Sequence, residues 1–93
     1  MRELSKAGST DKCDVLITLY ENEDGIEIQL NSPSAFQFGR SIKDEIIATL
    51  NNLGVENMKV KVEDNGALDF TIKSRVETAY FRYTQENIDW RKL

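Results

Sequence analysis

Apolar and polar side chains alternate in two stretches of the first third of the chain. Residues 14–20 are rich in β-branched side chains, which favour extended strands. Residues 26–30 place three aliphatic side chains on one side and Glu27 and Gln29 on the other, the pattern of a strand with one buried face. Residues 22–25 end in Gly25 and are typical of a turn, so two consecutive strands are predicted.

The apolar period then changes to that of a helix. Residues 31–34 contain Pro33 and break the second strand, and Ser41 is predicted as the N-cap. Gly54 stands where a glycine commonly ends a helix. One helical stripe contains the apolar residues Ile42, Ile46, Ile47, Leu50 and Leu53.

Two further strands are predicted around an Asn-Gly pair. Residues 58–62 alternate, with Lys59 and Lys61 pointing outward, and residues 67–72 alternate again. Asn65-Gly66 between two alternating runs is typical of a β-hairpin. The inward positions of the later strand are Leu68, Phe70 and Ile72.

A second helix is predicted after these strands. Ser74 and Glu77 have the spacing of a capping box, in which each side chain caps a backbone amide of the first helical turn. The apolar face of this helix contains Val76, Ala79, Tyr80 and Tyr83.

These elements predict an α+β fold in ββαββα order. It is a two-layer sandwich in which a four-stranded antiparallel or mixed sheet carries two helices on one face. The polar residues 1–12 are predicted to form a flexible N-terminal arm, residues 13–88 a single α+β domain, and residues 89–93 a C-terminal tail that Trp90 could anchor.

Composition then excludes several classes of function. The chain has 93 residues, a net charge of −4, no His and one Cys. Nucleic-acid binding needs a local surplus of Lys and Arg, which is missing. Without His there is no Ser-His-Asp or Cys-His catalysis and no ordinary zinc site, so no catalytic and no metal-binding residue is expected. No stretch suits a membrane span or a signal peptide, and a cytoplasmic location is expected.

The remaining polar clusters have mainly structural interpretations. The acidic residues of two predicted turns lack calcium-loop spacing. Lys59 and Lys61, with Lys73 and Arg75, could form a basic strip for phosphate, although polar positions on a wet sheet face explain the pair. Cys13 has no neighbouring base and is expected to be half-buried. Six aromatic residues are interpreted as core and core-edge positions rather than as a ligand cage: Phe36, Phe38, Tyr80, Phe81, Tyr83 and Trp90.

Three segments together resemble the acyl carrier subunit, or gamma chain, of citrate lyase. The first runs from Ala7-Gly8-Ser9 to Asp14-Val15-Leu16-Ile17-Thr18, and the second is Gln37-Phe38-Gly39-Arg40-Ser41-Ile42. The third segment is the most specific. It contains, in order, Leu53-Gly54-Val55-Glu56-Asn57, Lys59-Val60-Lys61-Val62, Asp64-Asn65-Gly66-Ala67-Leu68-Asp69 and Ser74-Arg75-Val76-Glu77. Residues 6–83 are covered in order.

The resemblance implies a function. Members of this family carry a covalent phosphoribosyl-dephospho-coenzyme A arm on a serine, attached by a modifying transferase. The thiol of the arm holds acetyl and citryl groups as thioesters for a transferase (alpha) subunit and a lyase (beta) subunit, which together convert citrate to acetate and oxaloacetate. The chain would then be a non-catalytic carrier, and residues 1–12 are a candidate hinge for the arm.

The chain departs from the family at the attachment position. The family pattern Glu-Ser-Ser-Asp or Glu-Ser-Gly-Asp, whose first serine is modified, aligns with Asp11-Lys12-Cys13-Asp14. A Lys12 amine cannot form the same phosphodiester, and Cys13 is the wrong nucleophile. Ser9 and Thr10 are the nearest hydroxyls. Three interpretations remain: the arm is attached to Ser9 or Thr10, the chain is an arm-less docking module of the same complex, or the residue at position 12 has been altered.

Overall fold

The computed structural model describes residues 2–86. Four strands and two helices follow one another in the order βββαβα: β1 (Glu3–Gly8), β2 (Asp14–Tyr20), β3 (Ile26–Asn31), α1 (Ala35–Asn52), β4 (Met58–Asn65) and α2 (Asp69–Glu86). Trp90 and the predicted tail at residues 89–93 lie outside the described part of the chain.

The four strands form one mixed sheet in the order β1-β2-β4-β3. β2 pairs antiparallel with both β1 and β4, whereas β3 pairs parallel with β4. A parallel pair needs a crossover connection, and α1 supplies it. α1 lies against β3, and α2 lies against β1, β2 and α1, so both helices cover the same face of the sheet.

The core lies between this sheet face and the two helices. Ile42, Ile46 and Leu50 form the buried face of α1, and Ile72, Val76 and Ala79 form that of α2. The sheet contributes the buried side chains of Ala7, Val15, Ile17, Leu19, Met58, Val60 and Val62. The predicted α+β class, with a four-stranded mixed sheet and two helices, is confirmed.

The first strand was missed in the sequence. A flexible arm was predicted over residues 1–12, but Glu3–Gly8 pair with β2 as an edge strand. Two interactions hold the strand to α2: Ser5 Oγ donates a hydrogen bond to the Ala79 carbonyl, and the Arg82 guanidinium donates one to the Lys6 carbonyl. Only Ala7 is fully buried, so the strand has little apolar pattern of its own and is stabilised by its partners.

α1 begins earlier than predicted. Ser34, directly after Pro33, is the N-cap, and its carbonyl accepts hydrogen bonds from the amides of Gln37 and Phe38. Ser41 lies inside the helix and caps nothing. Gly39 also lies inside the helix and is buried where α1 passes close to Leu30 of β3.

The predicted second hairpin is wrong. Gly66 has a φ of +83°, but the turn leads from β4 into α2 rather than into another strand. Asp64 Oδ1 accepts a hydrogen bond from the Ala67 amide at 2.9 Å, which sets this connection. Residues 69–72 therefore belong to the start of α2, and the predicted capping box of Ser74 and Glu77 lies in the interior of this helix.

Neither helix within residues 2–86 combines the length and apolar character required to cross a membrane. The cytoplasmic location therefore stays a prediction from the sequence.

Candidate functional site

The candidate attachment residues lie in the loop between β1 and β2, residues 9–13, which we call the attachment loop. It is entered through Gly8, whose φ is +96°. A Cβ atom at Gly8 would lie 1.9 Å from the Val15 carbonyl oxygen, so the two strands approach each other too closely here for any side chain. The loop ends at Cys13, a non-glycine residue with a φ of +64°.

Asp14 anchors one side of the attachment loop. Its carboxylate accepts a hydrogen bond from Ser9 Oγ at 2.7 Å and one from the Val15 amide at 2.7 Å. The Arg75 guanidinium of α2 reaches both carboxylate oxygens, with Nε and Nη2 each at 3.1 Å. These donors, with Ser9 first and Arg75 next, lower the pKa of Asp14 to about 2, because they all favour the ionised form.

Asn65, the last residue of β4, anchors the other side of the loop. Its backbone carbonyl accepts a hydrogen bond from the Cys13 amide at 2.8 Å. Its side-chain Nδ2 donates to the Thr10 carbonyl at 3.1 Å. The loop is therefore tied to α2 through Asp14 and to β4 through Asn65, so its backbone forms a held platform rather than the hinge expected from the sequence.

The candidate attachment residues differ in their surroundings. Ser9 is partly buried and donates to Asp14, while its Oγ accepts a hydrogen bond from the Asp11 amide at 3.2 Å. Thr10 and Lys12 are exposed. Cys13 is exposed as well, whereas the sequence predicted it to be half-buried. The platform thus brings the predicted residues together and presents one hydroxyl, one amine and one thiol to solvent.

An apolar groove lies beyond the end of β4. It encloses about 630 Å³ between the start of α1 and the start of α2, with Phe38 and Ile42 on one side and Leu68 and Phe70 on the other. Gly66 lines it too, next in sequence to Asn65 of the platform. Leu68 and Phe70 are 62% and 69% exposed, although the sequence pattern predicted them to face inward.

Of the other aromatic residues, two pack as predicted and three do not. Tyr80 and Tyr83 pack against the core, as predicted. Phe36, Phe38 and Phe81 are exposed, so interpreting them as core residues was wrong. Each lies on a helix but away from its buried stripe, a distinction that depends on how the helices pack.

The basic strip suggested by the sequence does not form. Lys59 and Lys61 lie on the sheet face opposite the helices, and Lys61 pairs with Glu63 at 3.1 Å, which raises the pKa of Lys61. Lys73 and Arg75 belong to α2 on the other side of the sheet. Within residues 2–86, no three His, Cys, Asp or Glu side chains come together as a metal site would require.

Comparison with known proteins identifies the family. The family model for the malonate decarboxylase delta subunit, an acyl carrier protein, matches residues 3–83. A citrate lyase acyl carrier protein of Lacticaseibacillus casei (strain BL23) is 42% identical over 88 residues, covering 94% of this chain and 87% of the relative. The chain belongs to the citrate lyase acyl carrier protein family. The corresponding protein of Oenococcus oeni is 39% identical and covers 100% of this chain and 98% of its own.

A solved structure supports the fold alone. A chain in the crystal structure of a Pseudomonas malonate decarboxylase hetero-tetramer in complex with malonate aligns with a TM-score of 0.57 and 15% identity. The alignment covers 85% of this chain and 81% of that chain.

The family resemblance stated from the sequence is confirmed by the family model and the sequence relatives, and the chain is an acyl carrier by family.

The two anchors of the attachment loop were missed in the sequence. The local pattern predicts a basic strip for Arg75 and a hairpin turn for Asn65, and neither interpretation points to the loop. Arg75 is 61 positions from Asp14 and Asn65 is 55 positions from Thr10. No local pattern reports such pairs. Both residues do lie in the motifs that carry the family resemblance, and this is the feature of the sequence that could have pointed to them.

The stability of the protein should depend on the ionisation of Asp14. A lowered native pKa means that the unfolded chain binds this proton more readily, so the stabilisation is present above pH ~4 and is lost as pH falls towards 2. Because the Arg75 side chain is 40% exposed, solvent screening reduces the effect to about 1–2 kcal/mol. Urea denaturation between pH 7 and pH 2 measures it.

A matched pair of variants isolates this contribution. Asp14→Asn should flatten the part of the pH profile between pH 4 and 2, whereas Asp24→Asn, at an exposed turn carboxylate, should leave it unchanged. An Asp14→Asn profile parallel to that of the original protein would contradict the role assigned to Asp14.

Proposed function

We propose that this chain is the acyl carrier subunit of citrate lyase, with a phosphoribosyl-dephospho-coenzyme A arm attached within the attachment loop. The arm supplies a thiol that holds acyl groups. The observation that carries the proposal is the held loop, which presents reactive side chains to solvent at the position where the family attaches its arm. The chain itself holds the attachment point and presents docking surfaces.

The residues present fit the arm at some positions and not at others. Formation of a phosphodiester requires a hydroxyl, which Ser9 and Thr10 carry, whereas Lys12 and Cys13 cannot form it. A fixed attachment point is consistent with a long tether, because the freedom of movement then resides in the tether. Such tethering raises the effective concentration of the acyl group at each partner's active site.

The proposed partners are the transferase and lyase subunits of the complex, together with the modifying transferase. The apolar groove supports such docking, because isolated soluble domains rarely expose several large apolar side chains in one patch. It adjoins the attachment loop through Asp64, Asn65 and Gly66. A subunit with an apolar surface of its own, seated in the groove, would lie beside the arm.

Intact-mass measurement on protein from cells that make the arm tests the carrier function. The expected result is an excess of several hundred daltons over the sequence mass, with peptide mapping placing it within residues 9–13. Citrate lyase acyl carrier protein of Lacticaseibacillus casei, made in the same cells, is the positive control. An unmodified chain beside a modified control would remove the arm from the proposal.

Docking should depend on the apolar groove. Phe70→Ser should weaken binding to the reconstituted transferase and lyase subunits at least tenfold, since exposed aromatic anchors dominate interface energies. The free energy of unfolding should hardly change, because Phe70 is exposed. The matched control is Phe81→Ser, at an exposed position near the other end of the same helix. Equal affinities of the two variants would exclude the groove as the docking surface.

A second candidate function is an arm-less docking module of the same complex. The observation that favours it is Lys12, which stands at the family's modified serine. This alternative predicts an unmodified mass together with stable binding to both subunits. A chain that is unmodified and binds neither subunit would exclude both candidates.

A further inference from the structure

We infer that Thr10 is the residue to which the arm is attached and that Ser9 is a structural residue of the loop. This assignment rests on the proposed carrier function. It follows from the unequal engagement of the two hydroxyls, which a sequence alignment treats as equivalent neighbours of Lys12.

The Ser9 hydroxyl both donates and accepts a hydrogen bond. Its Oγ donates to Asp14 Oδ2 at 2.7 Å and accepts from the Asp11 amide at 3.2 Å. The Ser9 amide donates to the Val15 carbonyl at 3.2 Å, extending the pairing of β1 with β2. A phosphodiester at this oxygen would lose the bond to Asp14. It would also place a second negative charge directly against that carboxylate, where like charges repel.

The Thr10 hydroxyl differs from that of Ser9 in its exposure and in its hydrogen bonding. Thr10 is exposed, and no hydrogen bond to its Oγ is present within residues 2–86. Its backbone carbonyl is nevertheless held by Asn65 Nδ2 at 3.1 Å. The side chain therefore projects from a fixed point of the backbone with its nucleophilic oxygen available. Attachment there would break none of the bonds that hold the loop.

The charges around Thr10 tolerate a phosphodiester. Thr10 lines a shallow depression of about 230 Å³ with Asn31, Glu63, Asp64 and Asn65. The Glu63 carboxylate is paired with Lys61 at 3.1 Å. The oxygens of Asp64 accept hydrogen bonds from Ser32 Oγ and the Ala67 amide. Glu63 is thus ion-paired and Asp64 hydrogen-bonded, while the exposed side chains of Asp11 and Lys12, the next two residues of the loop, carry opposite charges.

The attachment step is a phosphoryl transfer to a hydroxyl. The Thr10 Oγ attacks phosphorus in a donor whose ribose phosphate is activated as a phosphoric anhydride. The new Thr10 Oγ–P bond forms as the anhydride P–O bond breaks, and the phosphate or pyrophosphate leaves with that electron pair. The hydroxyl proton passes to a base of the modifying transferase or to water. No oxidant or reductant is required.

Mass spectrometry of three variants tests the assignment. Each full-length chain is co-produced with the enzymes that make and attach the arm, and fragmentation that preserves the phosphodiester locates the added mass. Thr10→Val, close to threonine in shape, should lower the modified fraction at least tenfold. Ser9→Ala and Thr10→Ser should remain modified, and circular dichroism should show that all three are folded.

Two results would overturn the assignment in different ways. Arm mass located on Ser9, or retained in Thr10→Val, would contradict Thr10 while leaving the carrier function in place. An unmodified original chain, in cells that modify the Lacticaseibacillus casei carrier, would contradict the arm itself and Thr10 with it.

Discussion

Replacing Gly8 with Ala should destabilise the protein by about 3 kcal/mol, corresponding to a fall of roughly 12–24 °C in Tm for a domain of this size. The first reason is backbone conformation, since Gly8 has a φ of +96°, where an L side chain is strained. The second is space. The added Cβ would lie 1.9 Å from the Val15 carbonyl oxygen, and this neighbour is backbone that cannot rotate away.

The consequence for the attachment loop should be direct. Relief of the clash would separate β1 from β2 at the point where the loop begins, and the Ser9 amide would lose its bond to the Val15 carbonyl. Thermal and urea denaturation measure the loss of stability, and hydrogen exchange of the Ser9 amide measures the local opening.

Gly25→Ala is the matched control. Gly25 has a similar φ of +79°, but a Cβ there would meet no atom within 4 Å. Its loss of stability should be only about 1 kcal/mol, the strain of the backbone alone. If the two variants were equally stable, the close contact between Gly8 and Val15 would not exist in solution.

Shortening Ile17 to Ala should reduce the free energy of unfolding by about 3–5 kcal/mol. Ile17 lies in β2 between β1 and β4, with no exposed surface. The substitution removes three buried carbon atoms and leaves a cavity that two flanking strands keep from collapsing. Since small domains are stable by about 5–15 kcal/mol, a large share of the stability should be lost. Urea denaturation with a constant m-value measures it.

Leu16→Ala provides the comparison within the same strand. It deletes as many carbon atoms from a half-buried side chain on the sheet face opposite the helices. We expect a loss of about 1 kcal/mol. Similar losses at positions 16 and 17 would mean that the sheet is covered on both faces, contrary to the two-layer arrangement.

Strong local patterns predicted their elements well. Residues 14–20 form β2, as the β-branched run predicted, and Ile42, Ile46 and Leu50 form the buried face of α1. In each case the apolar period is set by one packing face. Gly54, with a φ of +79°, ends the helix as predicted.

Ambiguous local patterns failed where tertiary packing or a specific side-chain contact decided the conformation. Leu68, Phe70 and Ile72 alternate like a strand, yet Ile72, Val76 and Ala79 also have helical spacing. The helical set is the one that becomes buried, because α2 covers β1 and β2. Asn65-Gly66 suits a hairpin as well as a strand-to-helix turn, and Asp64 selects the latter by bonding the Ala67 amide.

The candidate site shows the same division. Through the family resemblance the sequence predicts attachment within residues 9–13, with Ser9, Thr10 and Lys12 as the positions in question. It could not rank the two hydroxyls, because the difference between them lies in Asp14, Arg75 and Asn65. Those partners reach the loop from β2, α2 and β4.

The sequence by itself determined the fold class, the family, the absence of His chemistry and the strand and helix with an unambiguous apolar period. Only the tertiary structure decided that residues 3–8 form a strand, that residues 69–86 are one helix, and which hydroxyl of the loop is exposed. The physical reason is that periodicity depends on how a segment meets a single packing face. Edge pairing, entry into α2 and the engagement of the loop hydroxyls depend instead on specific contacts, some of them with residues more than 50 positions away.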